Sequence, residues 1–159
     1  MPIPEYVRTV RAKIGTDLLW MPGVAAIVVD DQQRVLLGRR ADTGEWASIA
    51  GILEPGEQPA EAIIREIREE AGVVAEVVDL LSLRTDEPVH YPNGDIAQYL
   101  TILFLCRYVS GEAHVADDES LDIAWFTQDE LPAMSVRQTE RIRRGLAALR
   151  GDTRPVWHE

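Results

Sequence analysis

Cysteine is almost absent from this chain, and so are long apolar runs. The single cysteine, Cys106, cannot form an intrachain disulfide and stands in an apolar run, which favours a small buried core residue. No apolar run approaches the roughly 20 residues that a membrane-spanning helix needs. Residues 1–5 lack the basic and apolar regions of a signal peptide. We therefore expect a cytoplasmic protein with no membrane association.

Basic residues are also scarce: 16 Lys and Arg residues stand against 27 Asp and Glu residues, and the net charge is −11. Because Lys and Arg dominate the binding of phosphate backbones, we expect no long nucleic acid as a ligand. A small phosphorylated substrate is compatible with this charge, because bound metal ions can reverse the local sign of a carboxylate-rich site. The length of 159 residues predicts one domain with its own core.

The acidic residues are densest at 51–73, where the sequence reads GILEPGEQPAEAIIREIREEAGV. Pro59 is typical of the first residue of a helix and Gly72 of the residue after its end, so we predict a helix at about 58–71. The apolar stripe of this helix is centred roughly 125° from its glutamate cluster, so one side can pack on a sheet while the other faces a cleft. The stripe consists of Ala60, Ile63, Ile64, Ile67 and Ala71.

Glu66, Glu69 and Glu70 form that glutamate cluster, at positions i, i+3 and i+4 of the predicted helix. Three carboxylates on one face repel one another, and a divalent cation is the simplest reason to keep them together, because hard cations such as Mg²⁺ take oxygen ligands. The alternative is a solvated acidic helix face, which EIREE taken by itself would favour.

The complete pattern resembles the signature box of the Nudix hydrolases. Gly51, Glu57 and the run REIREEAGV at 65–73 stand at the spacing of that box. The resemblance implies hydrolysis, dependent on Mg²⁺ or Mn²⁺, of a diphosphate linkage in a nucleoside diphosphate joined to another group. It implies a small nucleotide as substrate, and it leaves a homodimer open.

Strands alternating with two or three helices predict α+β or an α/β/α sandwich, and the resemblance selects the sandwich, an α/β fold with a mixed β-sheet between helices. We expect a single domain over 1–159, with an N-terminal extension at 1–20 and a C-terminal tail at 151–159. The segments predicted from apolar patterning and turn residues are helices at 4–14 and 135–150, a hairpin of strands at 23–30 and 34–40, strands at 73–83, 96–109 and 121–126, and loops at 85–95 and 114–120.

Within the box, the resemblance implies that Glu66, Glu69 and Glu70 are metal ligands and that Glu69 or Glu66 doubles as the general base. The sequence itself does not choose between these bases. Glu57 matches the family's loop glutamate, which would reach the metal directly or through water. Arg65 matches the box arginine, whose expected duty is a salt bridge that orients a glutamate.

Two further metal ligands are implied outside the helix. Glu119, in the acidic loop ahead of Trp125, is our choice for a carboxylate from a later loop, with Asp118 and Asp117 behind it; the alternative is an ordinary acidic turn. The family also uses a backbone carbonyl before the box glycine, which here belongs to Ala50. That position is commonly glycine in the family, and the backbone carbonyl remains available as a ligand when alanine replaces glycine.

Four residues are candidates for substrate binding. Arg39 and Arg40, at the end of a predicted strand, could clamp phosphate or be solvated. Trp46 and Tyr91 could stack on a base, or they could pack in the core or at its rim.

The substrate stays open between ADP-ribose-like compounds, dinucleoside polyphosphates and nucleoside triphosphates. Pro88 resembles a marker of ADP-ribose-type members, whereas Tyr91 resembles a marker of dinucleoside polyphosphate members. The main alternative is a nucleotide-binding or regulatory module without hydrolysis, although such members tend to lose box glutamates. Isopentenyl diphosphate isomerases share the fold but need a catalytic cysteine, for which Cys106 is a poor candidate.

Overall fold

The computed structural model describes residues 4–151, which fold around one mixed β-sheet with helices on both sides. The remaining residues, including most of the predicted C-terminal tail, lie outside the described range. The elements are α1 (Glu5–Ile14), β1 (Leu19–Val29), β2 (Val35–Arg40), β3 (Trp46–Ala47), β4 (Ile49–Ile52), α2 (Pro59–Ala71), β5 (Val74–Thr85), β6 (Val89–His90), β7 (Ile96–Ser110), β8 (Ser120–Phe126), a 3₁₀ turn (Gln128–Glu130) and α3 (Val136–Leu149).

The eight strands are ordered around β1, which lies at the centre of the sheet. The main path runs β3-β2-β1-β7-β5, while β4 pairs with β1, β6 with β7 and β8 with β2. β1 and β7 are parallel along the whole length of β1, and every other pairing is antiparallel. The sheet is therefore mixed, as predicted.

Alternation along the strands divides the core into two layers. Phe104 packs with Ile63 and Ile67 of α2, whereas Leu103 packs with Ile142 and Leu146 of α3. α2 and α3 thus cover opposite faces of the sheet, which confirms the α/β/α sandwich. α1 adds a small third cluster, in which Val7 is buried with Met21 of β1 and Ala97 of β7.

Differences from the predicted elements lie mainly at strand ends. β1 begins at Leu19 rather than at residue 23, because its first residues pair with Ala97–Leu100 of β7. Pro22 fits there, since β4 joins the other side of β1 only from Gly23 onward and the missing N–H costs no ladder bond. The predicted hairpin is short, with Val28 and Val29 as the β1 residues that pair with β2. β6 falls within the predicted 85–95 loop.

α2 begins and ends where its local sequence predicts. Pro59 occupies the first turn, and Gly72 adopts the left-handed conformation with φ 69° while its N–H donates to the Arg68 carbonyl. The acidic loop then docks onto this end, because the N–H groups of His114 and Ala116 donate to the carbonyls of Ala71 and Glu70. Within the described residues, no helix is long and apolar enough to cross a membrane.

Candidate active site

Arg65 of α2 holds the box carboxylates together. Its Nε and Nη2 donate to the two oxygens of Glu57 at 2.8 and 3.0 Å, and its Nη1 donates to Glu66 Oε1 at 3.0 Å and Glu69 Oε2 at 3.1 Å. The hydrogen bonds between Arg65 and Glu57 raise the pKa of Arg65 and lower the pKa of Glu57. Glu57 also accepts from the Glu54 N–H, so both of its oxygens serve to fix Arg65 and the loop.

Glu66 is fully buried against the backbone of β4. A Cβ added at Gly51 would lie 2.0 Å from both Cδ and Oε1 of Glu66, so only glycine allows this approach. Oε1 accepts from Arg65, whereas Oε2 is buried with no hydrogen-bond partner in the described structure. Burial raises the pKa of Glu66 to about 7, although the charge of Arg65 opposes the shift.

Glu70 lies one helical turn further along and is also buried, but it opens onto a cavity of about 300 Å³. Glu119, Asp118, Ala50 and Arg40 line the same cavity. Burial raises the pKa of Glu70 to about 8, and the negative charges of Glu66, Asp117 and Glu119 raise it further. The structure therefore brings Glu70, Glu119 and Ala50 together, with Glu66 close enough to interact electrostatically.

Glu69 has a different environment. Its side chain is 46% exposed and lines an open groove on the outer side of α2. No group of three Asp, Glu, His or Cys side chains within residues 4–151 is arranged to hold a metal ion. In this structure Arg65 pairs instead with Glu69 and with one oxygen of Glu66.

A divalent cation nevertheless fits the carboxylates that face inward. An ionised carboxylate buried without compensation costs far more than a hydrogen bond can return. Glu66 Oε2 lacks a partner, and the pKa values of Glu66 and Glu70 are raised chiefly by burial. A hard cation taking oxygen ligands would offset both penalties, so the donor set suits a metal of the Mg²⁺ or Mn²⁺ type.

Of the two candidate arginines, Arg40 lines the cavity and Arg39 does not. The Arg40 guanidinium donates to both carboxylate oxygens of Asp42, at 2.8 and 2.6 Å, and this raises its pKa. Arg39 instead donates to the Gly44 carbonyl at 3.1 Å from an exposed position. One of the two candidate guanidinium groups therefore lies at the cavity.

The two aromatic candidates lie in different places. Trp46 packs edge-on against Phe126, with ring centroids 4.9 Å apart, at the margin of the α3-side core. Tyr91 is at the surface, where its hydroxyl lies 2.9 Å from that of Tyr99. An electrostatic interaction with Tyr91 contributes to the raised pKa of Arg40, although Tyr91 does not itself line the cavity. For Trp46 the contacts match the packing alternative.

Sequence reasoning missed two residues that shape the site. Asp42 fixes Arg40, and a carboxylate two residues after a pair of arginines was the available signal. Gln138 of α3 accepts from both the N–H and the hydroxyl of Ser48, a cavity-lining residue, and thereby joins α3 to the strand entering the box. Nothing in the local sequence indicated that second contact, because the two residues lie 90 positions apart.

Several curated proteins are similar to this chain. The 8-oxo-dGDP phosphatase NUDT18 of Mus musculus is 36% identical over 69% of this chain and 33% of its own length. The NAD-capped RNA hydrolase NudC of Pseudomonas aeruginosa is 34% identical over 71% of this chain and 38% of its own length. The chain thus spans little more than a third of these relatives. A MutT-like protein of Streptomyces ambofaciens is 34% identical over 68% of this chain and 64% of its own length.

Solved structures agree with the fold. A UDP-X diphosphatase superposes with a TM-score of 0.71 at 26% identity, covering 97% of this chain and 74% of that one. An ADP-ribose pyrophosphatase from Streptococcus suis superposes with a TM-score of 0.69 at 19% identity, covering 87% of this chain and 98% of that one, and supports the fold alone. The sequence model of the NUDIX domain matches residues 19–148, which include the signature box, the whole sheet, α2 and all but the last residue of α3. The chain belongs to the NUDIX family.

Proposed function

We propose that this chain is a divalent-metal-dependent pyrophosphohydrolase that cleaves the diphosphate linkage of a nucleoside diphosphate derivative. The observation that carries the proposal is the pair of buried carboxylates, Glu66 and Glu70, beside a cavity that Arg40 also lines. Membership of the NUDIX family supports the reaction class. The names of two similar proteins also support it, since 8-oxo-dGDP and UDP-X both contain a nucleoside diphosphate.

Glu66, Glu69, Glu70, Glu119 and the carbonyl of Ala50 are the ligands we propose for the metal, Mg²⁺ or Mn²⁺. When bound, the cation would supply positive charge over the phosphoryl oxygens, where negative charge accumulates during displacement by water. Glu69 does not line the cavity as the structure stands, and its carboxylate pairs with Arg65.

The chain's own residues bind the substrate and move the proton. Arg40, held by Asp42 on one edge, would bind a phosphate oxygen at the cavity. Glu66 or Glu69 would take the proton of the attacking water on a carboxylate oxygen. Arg65 donates to both carboxylates, so it would hold either base in place. Tyr91, which is exposed and interacts electrostatically with Arg40, is the aromatic side chain we favour for stacking on a base.

A substrate panel tests the function directly. ADP-ribose, a dinucleoside polyphosphate and a nucleoside triphosphate are each incubated with Mg²⁺ or Mn²⁺, and released nucleoside monophosphate and phosphate are measured. We expect turnover of at least one class, abolished by EDTA and restored by added metal. If all three compounds bind and none is cleaved, the nucleotide-binding or regulatory alternative is correct. The cytoplasmic location and the homodimer stay predictions.

The role of Glu119 has its own test, because Asp118 lies beside it on the same cavity wall. The carboxylates on α2 can hold a cation from one side only, so a ligand across the cavity would complete its shell. We expect Glu119→Gln to raise the Mg²⁺ concentration for half-maximal activity by about 10-fold or more. Asp118→Asn is the matched control and should change it little. If only the Asp118 variant shifts the Mg²⁺ dependence, Asp118 is the ligand; if neither does, the loop is an acidic turn.

A further inference from the structure

A second polar cavity lies on the opposite face of the sheet from Glu66 and Glu70. Its volume is about 60 Å³, and it is enclosed by α3 and the adjoining parts of β5 and β7. Leu103 in its wall belongs to the core layer under α3, and Thr101, two residues earlier on β7, faces the same way. α2 packs on the other layer. The second cavity therefore lies on the face of the sheet that α3 covers.

The floor of this second cavity is a buried carboxylate, Asp86, whose charge is already paired. Its Oδ2 accepts a hydrogen bond from the Thr101 hydroxyl at 2.5 Å and another from Arg137, and it lies 3.8 Å from Nη2 of Arg141. A buried carboxylate with such partners fixes the guanidinium groups above it. Asp86 thus positions Arg137 and Arg141.

Two more arginines complete the cavity wall. Arg84 stands directly opposite Thr101 in the β5–β7 register, and opposed residues in an antiparallel pair point to the same face. Arg144 lies on α3 with Arg137 and Arg141, at positions that share one helix face. Glu140 also lines the cavity, so the lining contains four guanidinium groups and two carboxylates. The wall is thus rich in basic residues, although the net charge of the whole chain is −11.

Arg141 is largely buried, since its side chain is 13% exposed. Burial lowers its pKa to about 10, and the positive charges of Arg137 and Arg84 lower it further, against the opposing effect of Asp86. Arg141 stays protonated at neutral pH. Arg141 is therefore repelled by Arg137 and Arg84, and the buried carboxylate of Asp86 opposes this repulsion.

We propose that this cavity binds a phosphate group, either free orthophosphate or the terminal group of a phosphomonoester. Arg84, Arg141 and Arg144 would donate to its oxygens, because the planar fork of a guanidinium group matches the oxygens of a tetrahedral anion. The volume is that of roughly two water molecules in the liquid, which suits a single phosphate group and excludes a whole nucleotide from the enclosed part. The site needs neither metal nor turnover, so it is independent of the proposed hydrolysis.

Calorimetric titration with inorganic phosphate, in EDTA and at constant ionic strength, tests the proposal. The wild-type protein should bind one phosphate saturably. Arg84→Gln and Arg144→Gln should each weaken binding by about 10-fold or more, the scale of one lost charge-assisted hydrogen bond. These two variants leave the Arg137 and Arg141 partners of Asp86 in place. The matched control is Arg143→Gln, which removes the same charge from an exposed position of α3 outside the cavity and should bind as the wild type does.

A parallel titration with a nucleoside monophosphate distinguishes the two sources of the phosphate group. Tighter binding of the monoester, with the same losses in the Arg84 and Arg144 variants, assigns the site to a phosphomonoester; tighter binding of orthophosphate assigns it to the free ion. Either result supports the proposal. Absence of saturable binding of both ligands up to 10 mM overturns it, and so does unchanged binding in both variants, whose folding is verified by circular dichroism.

Discussion

Replacing Glu70 with Gln is expected to lower turnover by at least ~100-fold, the scale on which metal-ligand or general-base chemistry is lost. The substitution keeps the shape of the side chain and removes its charge. Glu70 is buried, lines the 300 Å³ cavity and has its pKa raised to about 8 by burial and by neighbouring carboxylates. A neutral amide binds a hard cation less well than a carboxylate does. The measurement is kcat at saturating Mg²⁺ with the best substrate of the panel.

Folding should survive the change, because an uncharged side chain at position 70 is not repelled by the negative charges of Glu66, Asp117 and Glu119. The melting temperature of Glu70→Gln, measured without metal, should equal or exceed that of the wild type. Glu61→Gln is the matched control, since Glu61 is an exposed glutamate in the first turn of the same helix, and it should keep wild-type turnover. Wild-type rates in Glu70→Gln would show that Glu70 neither binds the metal nor takes part in proton transfer.

Glu69→Gln is expected to lower turnover by the same ~100-fold, although the environment of Glu69 differs from that of Glu70. Its carboxylate is exposed and paired with Arg65, so the variant loses a partner of the arginine that holds the other carboxylates. A full loss would require Glu69 to turn toward the cavity when metal and substrate bind. Turnover within a few-fold of the wild type would restrict Glu69 to supporting Arg65 and leave Glu66 as the candidate base.

Local signals in the sequence were sufficient to predict α2, whereas the choice of the α/β/α sandwich over α+β came from the family resemblance. Pro59 and Gly72 mark the helix ends because each acts through its own backbone, without help from distant residues. The pairing of β1 with β7 depends instead on contacts between residues more than 70 positions apart. No local pattern specifies such a register, so the start of β1 was predicted four residues too late.

The burial of the glutamates could not be predicted from the sequence either. Helical periodicity separated an apolar stripe from an acidic face, and Ala60 was placed in that stripe although it is exposed. Glu66 is as deeply buried as Ile67, because Gly51 lets the carboxylate lie against the strand. Helical periodicity shows which side chains share a face of the isolated helix. Whether a side chain is buried depends on which parts of the folded protein pack against that face. The second cavity, lined by four arginines, escaped sequence reasoning for the same reason, since Arg84 of β5 and the arginines of α3 are distant in the sequence and meet only in the folded protein.

Gly51→Ala is expected to damage both activity and stability. The added Cβ would lie 2.0 Å from Glu66 Cδ and 2.6 Å from Cγ, far inside the ~3.5 Å separation of carbon atoms in contact. Glu66 is fully buried and bonded to Arg65, so either its carboxylate rotates away from the site or β4 shifts from its pairing with Val24 of β1. Overpacking of this kind costs about 1–3 kcal/mol of the free energy of unfolding. Turnover should fall by at least ~100-fold, because the proposed ligand and base is displaced.

The matched control is Gly23→Ala in the neighbouring strand. Its added Cβ would meet the Gly51 carbonyl oxygen at 3.4 Å, an ordinary contact in the same β1–β4 ladder. A double-mutant cycle then assigns the cause of the Gly51 effect, because Glu66→Ala removes the atoms with which the new methyl group collides. The destabilisation caused by Gly51→Ala, measured by urea unfolding, should shrink in the Glu66→Ala background. An equal loss in both backgrounds would mean that the methyl group disturbs the strand itself, and that glycine is not required here to admit the Glu66 carboxylate.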